Sequence, residues 1–347
     1  MGFGSPLLFY IAFASYVASV QGSMPEFNIP SGSGKCNPFN GSWVYDYSKP
    51  VLYDSKSCPF IRKEYDCLKY GRPDREYLKY QWKPHTCGLQ RLDGRQFIMK
   101  WMGKRVMFVG DSLSVNQYES MLCVIYAVNP RVKYTMITEG DVTTSYDMSV
   151  ILHLSHYLVD IVQEPIGRVL KLDSMATGNA IWRSADVLIF NTWDYVQHGS
   201  MILKDMDRIR AFWMALRTWS RWVDTSVDTT TTKVFYLGVS PSYGQTWGEA
   251  KAGTCKGQTR PLLNASRYPT SPMPQEAIVK QVLRKMAKPV HLLDITFLSQ
   301  LRKDAHPSTY NGIRSRNDCT HWCLPGLPDT WNQLFQAVLV SLNPRRK

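Results

Sequence analysis

The sequence lacks the features of a chain that binds nucleic acid through a basic tail. Lys and Arg outnumber Asp and Glu by 41 to 28, which gives a net charge of +13, but no run of five or more basic residues occurs. We therefore expect no nucleic-acid partner. A diffuse positive charge attracts an acidic polymer or a membrane surface, although a basic surface without such a partner is an equally good interpretation.

The N-terminus lacks a long hydrophobic run and early basic residues. The uncharged apolar stretch over residues 6–20 is shorter than the roughly 20 residues that a spanning helix needs. No Lys or Arg precedes Lys35, so the basic region of a secretory signal is missing, but the small residues ASVQGS that follow fit a cleavage site. We predict a signal peptide over residues 1–22, with a retained signal anchor as the alternative. Residues 23–34 form a linker.

The eight cysteines indicate an oxidising compartment, because their number is even and two glycosylation sequons, at Asn40 and Asn264, accompany them. Four of them lie in residues 35–95 without a CxxC pair, which disfavours a zinc site. This segment is rich in aromatic and charged residues and has no long apolar run. It predicts a small module held by disulfides, whose pairing the spacing leaves open.

Residues 96–347 alternate between short apolar runs and helical stripes. Strands are predicted at residues 105–109, 186–190, 233–239 and 290–295, and residues 149–162 are expected to add an antiparallel edge. Helices are predicted at residues 113–126, 206–223, 277–286 and 331–339, the last with Asp329 as its cap. The alternation predicts an α/β fold, a parallel sheet covered by helices, with ligands at the carboxyl ends of the strands.

A serine follows the first of these strands, in the stretch MFVGDSLSVNQYESML. Gly110 and Asp111 form a sharp turn, and Ser112 lies at the start of the next helix. Amide donors and the positive dipole end of a helix favour a developing oxyanion, so Ser112 is a candidate nucleophile. An ordinary N-cap serine is the alternative interpretation.

A histidine that could activate this serine lies near the C-terminus. Asp318 and His321 are three residues apart in NDCTHWCLPGLPDTW, so the carboxylate can orient the imidazole, whose other nitrogen can accept a serine proton. Alternatively, Asp318 caps a helix and His321 is a surface residue. A metal site of Asp318, Cys319, His321 and Cys323 is disfavoured in an oxidising lumen, so no metal is predicted.

The motifs GDSLSVNQYESMLC and DCTHWCLPGLPDTWNQLF resemble the plant trichome birefringence-like family of polysaccharide O-acetyltransferases, within the SGNH/GDSL esterase-like superfamily. The segments CNPFNGSWVYD, LIFNTW and GVSPSYGQTW are also similar to that family, and the similarity covers residues 35–345. The resemblance implies a three-layer α/β/α SGNH-hydrolase-like domain over residues 96–347, with the disulfide-rich module of residues 35–95 in front of it.

The resemblance also implies the site and its partners. Ser112, Asp318 and His321 would form a catalytic triad, and Asn191 would aid the oxyanion or simply end its strand. The implied disulfides are Cys36–Cys87, Cys58–Cys123, Cys67–Cys323 and Cys255–Cys319. No bound cofactor is expected, only an acetyl donor such as acetyl-CoA or another acetyl carrier. The expected acceptor is xylan or homogalacturonan, and the expected location is the Golgi lumen, with a possible membrane anchor through residues 6–20, or else the cell wall.

Two elements differ from the pattern of many relatives. Val115 occupies a position where they carry Arg, and Asp194, Tyr195 and Val196 occupy positions where they carry His and aromatic residues. Both elements are expected on or near the cleft, so the acceptor or the activity could differ. The alternatives are a polysaccharide acetylesterase with the same triad and a non-catalytic wall-polysaccharide-binding protein.

Overall fold

Short apolar segments form a seven-stranded sheet at the centre of the molecule. The structure, a computed structural model, describes residues 36–137, 142–145, 147–165, 167–192, 207–242, 254–263, 273–313 and 317–342. In these ranges the strands are β1 (Gly41–Tyr45), β2 (Tyr80–Pro84), β3 (Arg105–Gly110), β4 (Thr135–Ile137), β5 (Val142–Ser145), β6 (Met148–Leu154), β7 (Asp160–Glu164), β8 (Gly167–Lys171), β9 (Val187–Phe190), β10 (Lys233–Leu237) and β11 (His291–Leu293). The α-helices are α1 (Gly94–Trp101), α2 (Ser112–Tyr126), α3 (Ala176–Trp182), α4 (Arg208–Ser226), α5 (Pro274–Leu283), α6 (Thr296–Gln300) and α7 (Leu327–Ser341).

The central sheet is parallel over most of its width, as predicted. Its order is β11-β10-β9-β3-β6-β5-β4, in which β11, β10, β9, β3 and β6 are parallel to one another and β5 and β4 are antiparallel. The chain leaves β3 toward β6 on one side and later returns to β9 on the other side. The order therefore reverses at β3, and crevices at such a reversal are where open α/β sheets bind ligands.

Helices cover both faces of the sheet, which confirms the three-layer architecture. Val106 and Phe108 of β3 pack in a cluster with α1, α2 and α7, whereas Met107 and Val109 pack in a second cluster with α3, α4 and α5. This alternation follows from the two-residue period of a strand, because both faces of a central parallel strand are buried.

The expectation that residues 149–162 form an antiparallel edge is wrong. Residues 148–154 form β6, which pairs in parallel with β3 and in antiparallel with β5, while the antiparallel edge is built by β5 and β4. Three consecutive residues of β6, Val150, Ile151 and Leu152, are buried, as is typical of an inner strand. Residues 160–162 belong to a separate hairpin of β7 and β8.

The last helix begins earlier than predicted, so Asp329 is not its N-cap. Helix α7 starts at Leu327 with Gly326 as N-cap, and Pro328 fits in its first turn because no amide hydrogen is needed there. Asp329 is the third helical residue, and its Oδ2 accepts a hydrogen bond from the Gly326 amide at 2.9 Å.

The N-terminal module shares its core with the domain that contains the central sheet. Its hairpin of β1 and β2 packs on α6, and Trp43 Nε1 donates to the Leu298 carbonyl at 2.8 Å. Buried module side chains such as Tyr65 and Tyr77 lie in the same apolar cluster as α2 and α7. The described residues contain the four disulfides Cys36–Cys87, Cys58–Cys123, Cys67–Cys323 and Cys255–Cys319, the same pairs that the resemblance implies.

Several predictions fall on residues outside the described ranges: the apolar segment at 6–20, the sequon at Asn264, and the substitutions at Asp194, Tyr195 and Val196. Among the helices of the described ranges, none combines the length and the apolarity that crossing a bilayer requires. The sequon at Asn40 lies on an exposed residue.

Candidate active site

Ser112 lies at the carboxyl end of β3, in a turn set by its two predecessors. Asp111 is the N-cap of α2, and its Oδ1 accepts from the Leu113 amide at 2.9 Å, so Ser112 is the first helical residue rather than an N-cap serine. A Cβ atom at Gly110 would lie 2.0 Å from the carbonyl oxygen of Asn191, so only glycine fits there. Between residues 111 and 125, Ser112 alone is not buried. Ser112 is thus the one residue of this turn and helix segment that is partly exposed.

Asn191 directly follows β9 and supports this turn. Its Nδ2 donates to Asp111 Oδ1 at 2.8 Å, and both side chains are buried. The Asp111 carboxylate therefore receives two hydrogen bonds, from the helix and from the neighbouring strand end. The contact ties the β9 end to the turn that carries Ser112, and the oxyanion role of Asn191 stays a prediction.

Asp318 and His321 form a hydrogen-bonded pair. His321 Nδ1 lies 2.7 Å from Asp318 Oδ2, while Asp318 Oδ1 accepts from the backbone amides of Thr320 at 3.0 Å and His321 at 3.1 Å. Burial opposes ionisation of Asp318, but these hydrogen bonds and the charge of His321 outweigh it and hold the pKa of the carboxyl at about 2. Asp318 is thus a carboxylate at neutral pH, and it can only accept from His321.

This pairing decides which nitrogen of His321 carries the hydrogen. Because Asp318 is an acceptor, Nδ1 must donate, and Nε2 of the neutral ring is then an acceptor. Nε2 is buried and has no hydrogen-bond partner within the described ranges. An imidazole oriented by a carboxylate, with its second nitrogen unoccupied, is the arrangement of a general base.

Tyr65, from the N-terminal module, contacts both Ser112 and His321. Its hydroxyl donates to the Ser112 carbonyl at 3.2 Å, and its ring centre lies 5.3 Å from that of His321. The Tyr65 carbonyl in turn accepts from the Leu324 amide at 2.9 Å. The serine turn and the histidine loop therefore meet at one buried tyrosine.

A second link joins the same two elements. Asn116 lies one helical turn after Ser112, and its Oδ1 accepts from the amide of Trp322, the neighbour of His321, at 2.8 Å. Its Nδ2 donates to the Trp322 carbonyl at 3.0 Å. Both residues are fully buried, so the asparagine is held by the backbone of the histidine loop.

Known proteins resemble the chain throughout its described part. The model of PC-Esterase, a GDSL/SGNH-like acyl-esterase family found in Pmr5 and Cas1p, matches residues 89–338, and that of the PMR5 N-terminal domain matches residues 34–88. Protein trichome birefringence-like 38 of Arabidopsis thaliana is 49% identical over 88% of this chain and 84% of its own length. The chain belongs to the trichome birefringence-like family. Trichome birefringence-like 39 (46% identical, 94% of this chain and 93% of the relative) and 41 (48%, 88% and 91%), both from Arabidopsis thaliana, are also similar.

In this trichome birefringence-like chain, a further histidine supports the loop of His321. His306 is buried and stacks on Trp322 with ring centres 3.8 Å apart, and its Nδ1 lies 2.7 Å from the His321 carbonyl oxygen. Burial lowers the pKa of His306 to about 3, so the ring is neutral and Nδ1 donates to that carbonyl.

Sequence reasoning missed Tyr65, Asn116, His306 and Trp322. Asn116 is one of several polar residues in the segment SLSVNQYES, so the sequence contains no signal that distinguishes it. Val115, where a departure from the family pattern is expected, is 2% exposed and lies in the apolar cluster, so it offers no polar atom to a ligand. Cys319 and Cys323 are both in disulfides and carry no thiolate, which removes two donors from the alternative metal site.

Proposed function

We propose that the chain is an O-acetyltransferase that moves an acetyl group through Ser112 to hydroxyl groups of a plant cell-wall polysaccharide. The observation that carries the proposal is the Asp318–His321 pair, whose Nε2 lacks a partner among the described residues and whose loop is tied by Tyr65 and Asn116 to the helix of Ser112. Membership of a family that is described as acyl-esterase supports acyl chemistry.

The first half of the reaction acylates the serine. The Ser112 oxygen attacks the carbonyl carbon of the acetyl donor while its proton moves to His321 Nε2, and Asp318 stabilises the imidazolium. The tetrahedral oxyanion is stabilised by the positive end of α2 and the Ser112 amide, because the amides of Leu113, Ser114 and Val115 already donate to Asp111. When it collapses, the donor's leaving group departs with the proton from His321, and the acetyl ester of Ser112 remains.

The second half transfers the acetyl group to a sugar. A sugar hydroxyl gives its proton to His321 Nε2 and attacks the ester carbonyl, and the Ser112 oxygen then leaves and recovers the proton. Xylan or homogalacturonan is the proposed acceptor, acetyl-CoA or another acetyl carrier the proposed donor, and the Golgi lumen the proposed location. Such a double displacement predicts ping-pong kinetics.

The test is acetylation of defined oligosaccharides. The full chain is incubated with an acetyl donor and with xylan or homogalacturonan oligomers, and mass spectrometry measures acetyl groups gained by the oligomer and by Ser112. Ser112→Ala should abolish both gains, whereas Ser184→Ala, which removes an exposed hydroxyl after α3, should change neither. Acetyl gain that persists in Ser112→Ala would refute the mechanism.

A second candidate is a polysaccharide acetylesterase, which the acyl-esterase description of the matching family favours. The same centre would then use water as the acceptor in the second half. Release of acetate from pre-acetylated polymer, without acetyl gain on fresh oligomers, would favour the esterase. If neither reaction occurs while Ser112→Ala still binds the polymer, the chain is a non-catalytic binding protein.

A further inference from the structure

A basic groove lies between α4 and α5, on the side of the sheet away from α2. Residues of α4 and α5, such as Phe212 and Val279, pack in the cluster of Met107 and Val109, whereas α2 packs on the opposite face. The groove has a volume of about 310 Å³. The residues that define this α4–α5 groove are Trp213, Arg217, Ser220, Arg221, Gln281 and Lys285.

The α4–α5 groove carries an excess of positive charge. Arg217, Arg221 and Lys285 are exposed, and none of the three forms an ion pair with another described residue. The carboxylate in the groove, Asp224, accepts hydrogen bonds from the backbone amides of Ala287 at 3.1 Å and Lys288 at 2.9 Å. It therefore stabilises the turn after α5. The groove thus contains three cations without an ion pair to any described residue and one carboxylate that already accepts hydrogen bonds from the backbone.

Helix dipoles do not account for this charge. A cation in or just after the last turn of a helix interacts favourably with its carbonyl end, which explains Lys285 behind α5. Arg217, however, lies more than two turns before the end of α4 at Ser226, and the dipole effect falls off within the last turn. The helix dipole therefore does not explain the position of Arg217.

Arg217 is held in place by an aromatic ring. Its guanidinium carbon lies 4.8 Å from the centre of the Trp213 ring. A stacked guanidinium is partly immobilised before a ligand arrives, so less side-chain entropy is lost on binding, and it can still pair with a carboxylate in two-point fashion. The Ser220 hydroxyl donates to the Arg217 carbonyl at 2.9 Å, so its oxygen can only accept from a sugar hydroxyl, whereas the Gln281 amide can both donate and accept.

We propose that the α4–α5 groove binds a carboxylate-bearing polysaccharide, as a contact site separate from the acyl-transfer centre. Three unpaired cations and hydroxyl-binding side chains in a concave groove fit a chain of uronate sugars. A flat acidic membrane fits less well, because none of the exposed large apolar side chains in the described residues belongs to α4 or α5. Trp213 of α4 is half-buried. This site does not require the proposed acetyl transfer, since it can bind polymer whether or not Ser112 reacts.

The test measures binding of oligogalacturonate to the full chain carrying Ser112→Ala, which removes turnover. Arg217→Ala, Arg221→Ala and Lys285→Ala together should weaken the affinity about tenfold, as expected for three exposed charge contacts. The matched control is Arg95→Ala, Arg131→Ala and Lys133→Ala, which removes the same charge from exposed positions outside the groove and should change the affinity little. Methyl-esterified oligogalacturonate and unsubstituted xylan oligomers should bind more weakly than the free acid.

A second measurement does not depend on variants. Hydrogen exchange on the unsubstituted chain should show slower exchange in residues 207–226 and 274–288 when oligogalacturonate is added. The proposal is overturned if the two triple variants lose affinity equally, if exchange in these residues is unchanged, or if methyl-esterified and free-acid oligomers bind alike. Groove-dependent binding to phosphatidylserine vesicles without oligogalacturonate binding would also overturn it, in favour of a membrane contact.

Discussion

The side chain of Asn116 holds both backbone polar groups of Trp322, accepting from the amide at 2.8 Å and donating to the carbonyl at 3.0 Å. These residues are 206 positions apart in the sequence and both are fully buried. Asn116 is one turn from Ser112, and Trp322 is adjacent to His321. The contact therefore fixes the distance between two elements that the proposed chemistry requires together.

Replacing Asn116 should damage stability and acyl transfer together. Asn116→Ala leaves a buried amide and a buried carbonyl without partners, at a cost of about 1–3 kcal/mol for each group. Asn116→Asp keeps the acceptor for the amide but places a buried carboxylate against the Trp322 carbonyl, so it should lower the free energy of unfolding at least as much as Asn116→Ala. Chemical unfolding and the rate of acetyl transfer are the measurements. Asn129→Ala, which removes an exposed turn contact, is the control, and an equal loss in both alanine variants would contradict the assignment.

Tyr65 should contribute to the reaction as well as to stability. Tyr65→Phe keeps the ring against His321 and removes the hydroxyl that donates to the Ser112 carbonyl, at a cost of roughly 0.5–1.5 kcal/mol in unfolding free energy. If the hydroxyl positions the serine turn, the turnover rate should fall about tenfold with little change in KM. Tyr65→Ala should lose more, because the ring contact is lost too.

The control for Tyr65 is Tyr47→Phe, at a tyrosine that is 81% exposed on the same module. Its turnover rate and unfolding free energy should match those of the unsubstituted chain. A Tyr65→Phe variant with unchanged turnover would mean that the hydroxyl contributes only to packing around the serine turn.

The strands of the central sheet could be predicted because each is indicated by the composition of its own short segment. The runs at residues 105–109 and 186–190 are apolar on both faces, and that composition requires burial by helices on two sides. The role of residues 149–162 could not be predicted in the same way. The run SVILHL does not distinguish an inner strand from an edge strand, because the position of β6 depends on pairing with β3 and β5. Asp329 lies inside the last helix because Pro328 belongs to the first helical turn, and a proline before a capping-type residue fits equally well outside a helix.

The residues of the candidate site also fall into two groups, those that a local motif indicates and those that only the folded structure brings together. The sequence offers Ser112, Asp318 and His321 as candidates because each lies in a short motif with a chemical meaning, and the structure pairs two of them, Asp318 and His321. Tyr65 and Asn116 carry no such motif, and their roles arise from contacts between distant parts of the chain. The disulfide Cys67–Cys323 joins the Tyr65 segment to the histidine loop across 256 residues, and spacing alone could not select that pair.

Buried His306 should make the chain less stable in mild acid. Its folded-state pKa of about 3 is below the unfolded value of 6.5, so below pH 6.5 the unfolded chain binds a proton that the native chain rejects. Stability is therefore fully present above pH 6.5 and is lost as the pH falls toward 3, by up to a few kcal/mol. Denaturant unfolding at pH 7.5 and pH 4.5 measures the difference.

His306→Asn provides the comparison for this pH effect, because the amide can still donate to the His321 carbonyl but does not titrate. It should lower stability at pH 7.5 through lost stacking on Trp322, and its stability should fall less between pH 7.5 and pH 4.5 than that of the unsubstituted chain. Equal pH slopes in the two proteins would show that other groups cause the acid sensitivity.

Gly110 should tolerate no side chain, since the strand end at Asn191 lies where a Cβ would be. The Cβ of Gly110→Ala would lie 2.0 Å from the Asn191 carbonyl oxygen and 2.5 Å from Ser114 Oγ, so the backbone of the serine turn must move. Even a shift of about 1 Å at a reacting group can lower a rate about a hundredfold, so acetyl transfer should be lost even in molecules that fold. Gly88→Ala is the matched control, because nothing lies within 4 Å of its added Cβ. Acetyl transfer and thermal unfolding of both variants check this, and a Gly110→Ala protein with normal turnover would show that the close approach of β9 to the serine turn does not constrain the reactive hydroxyl.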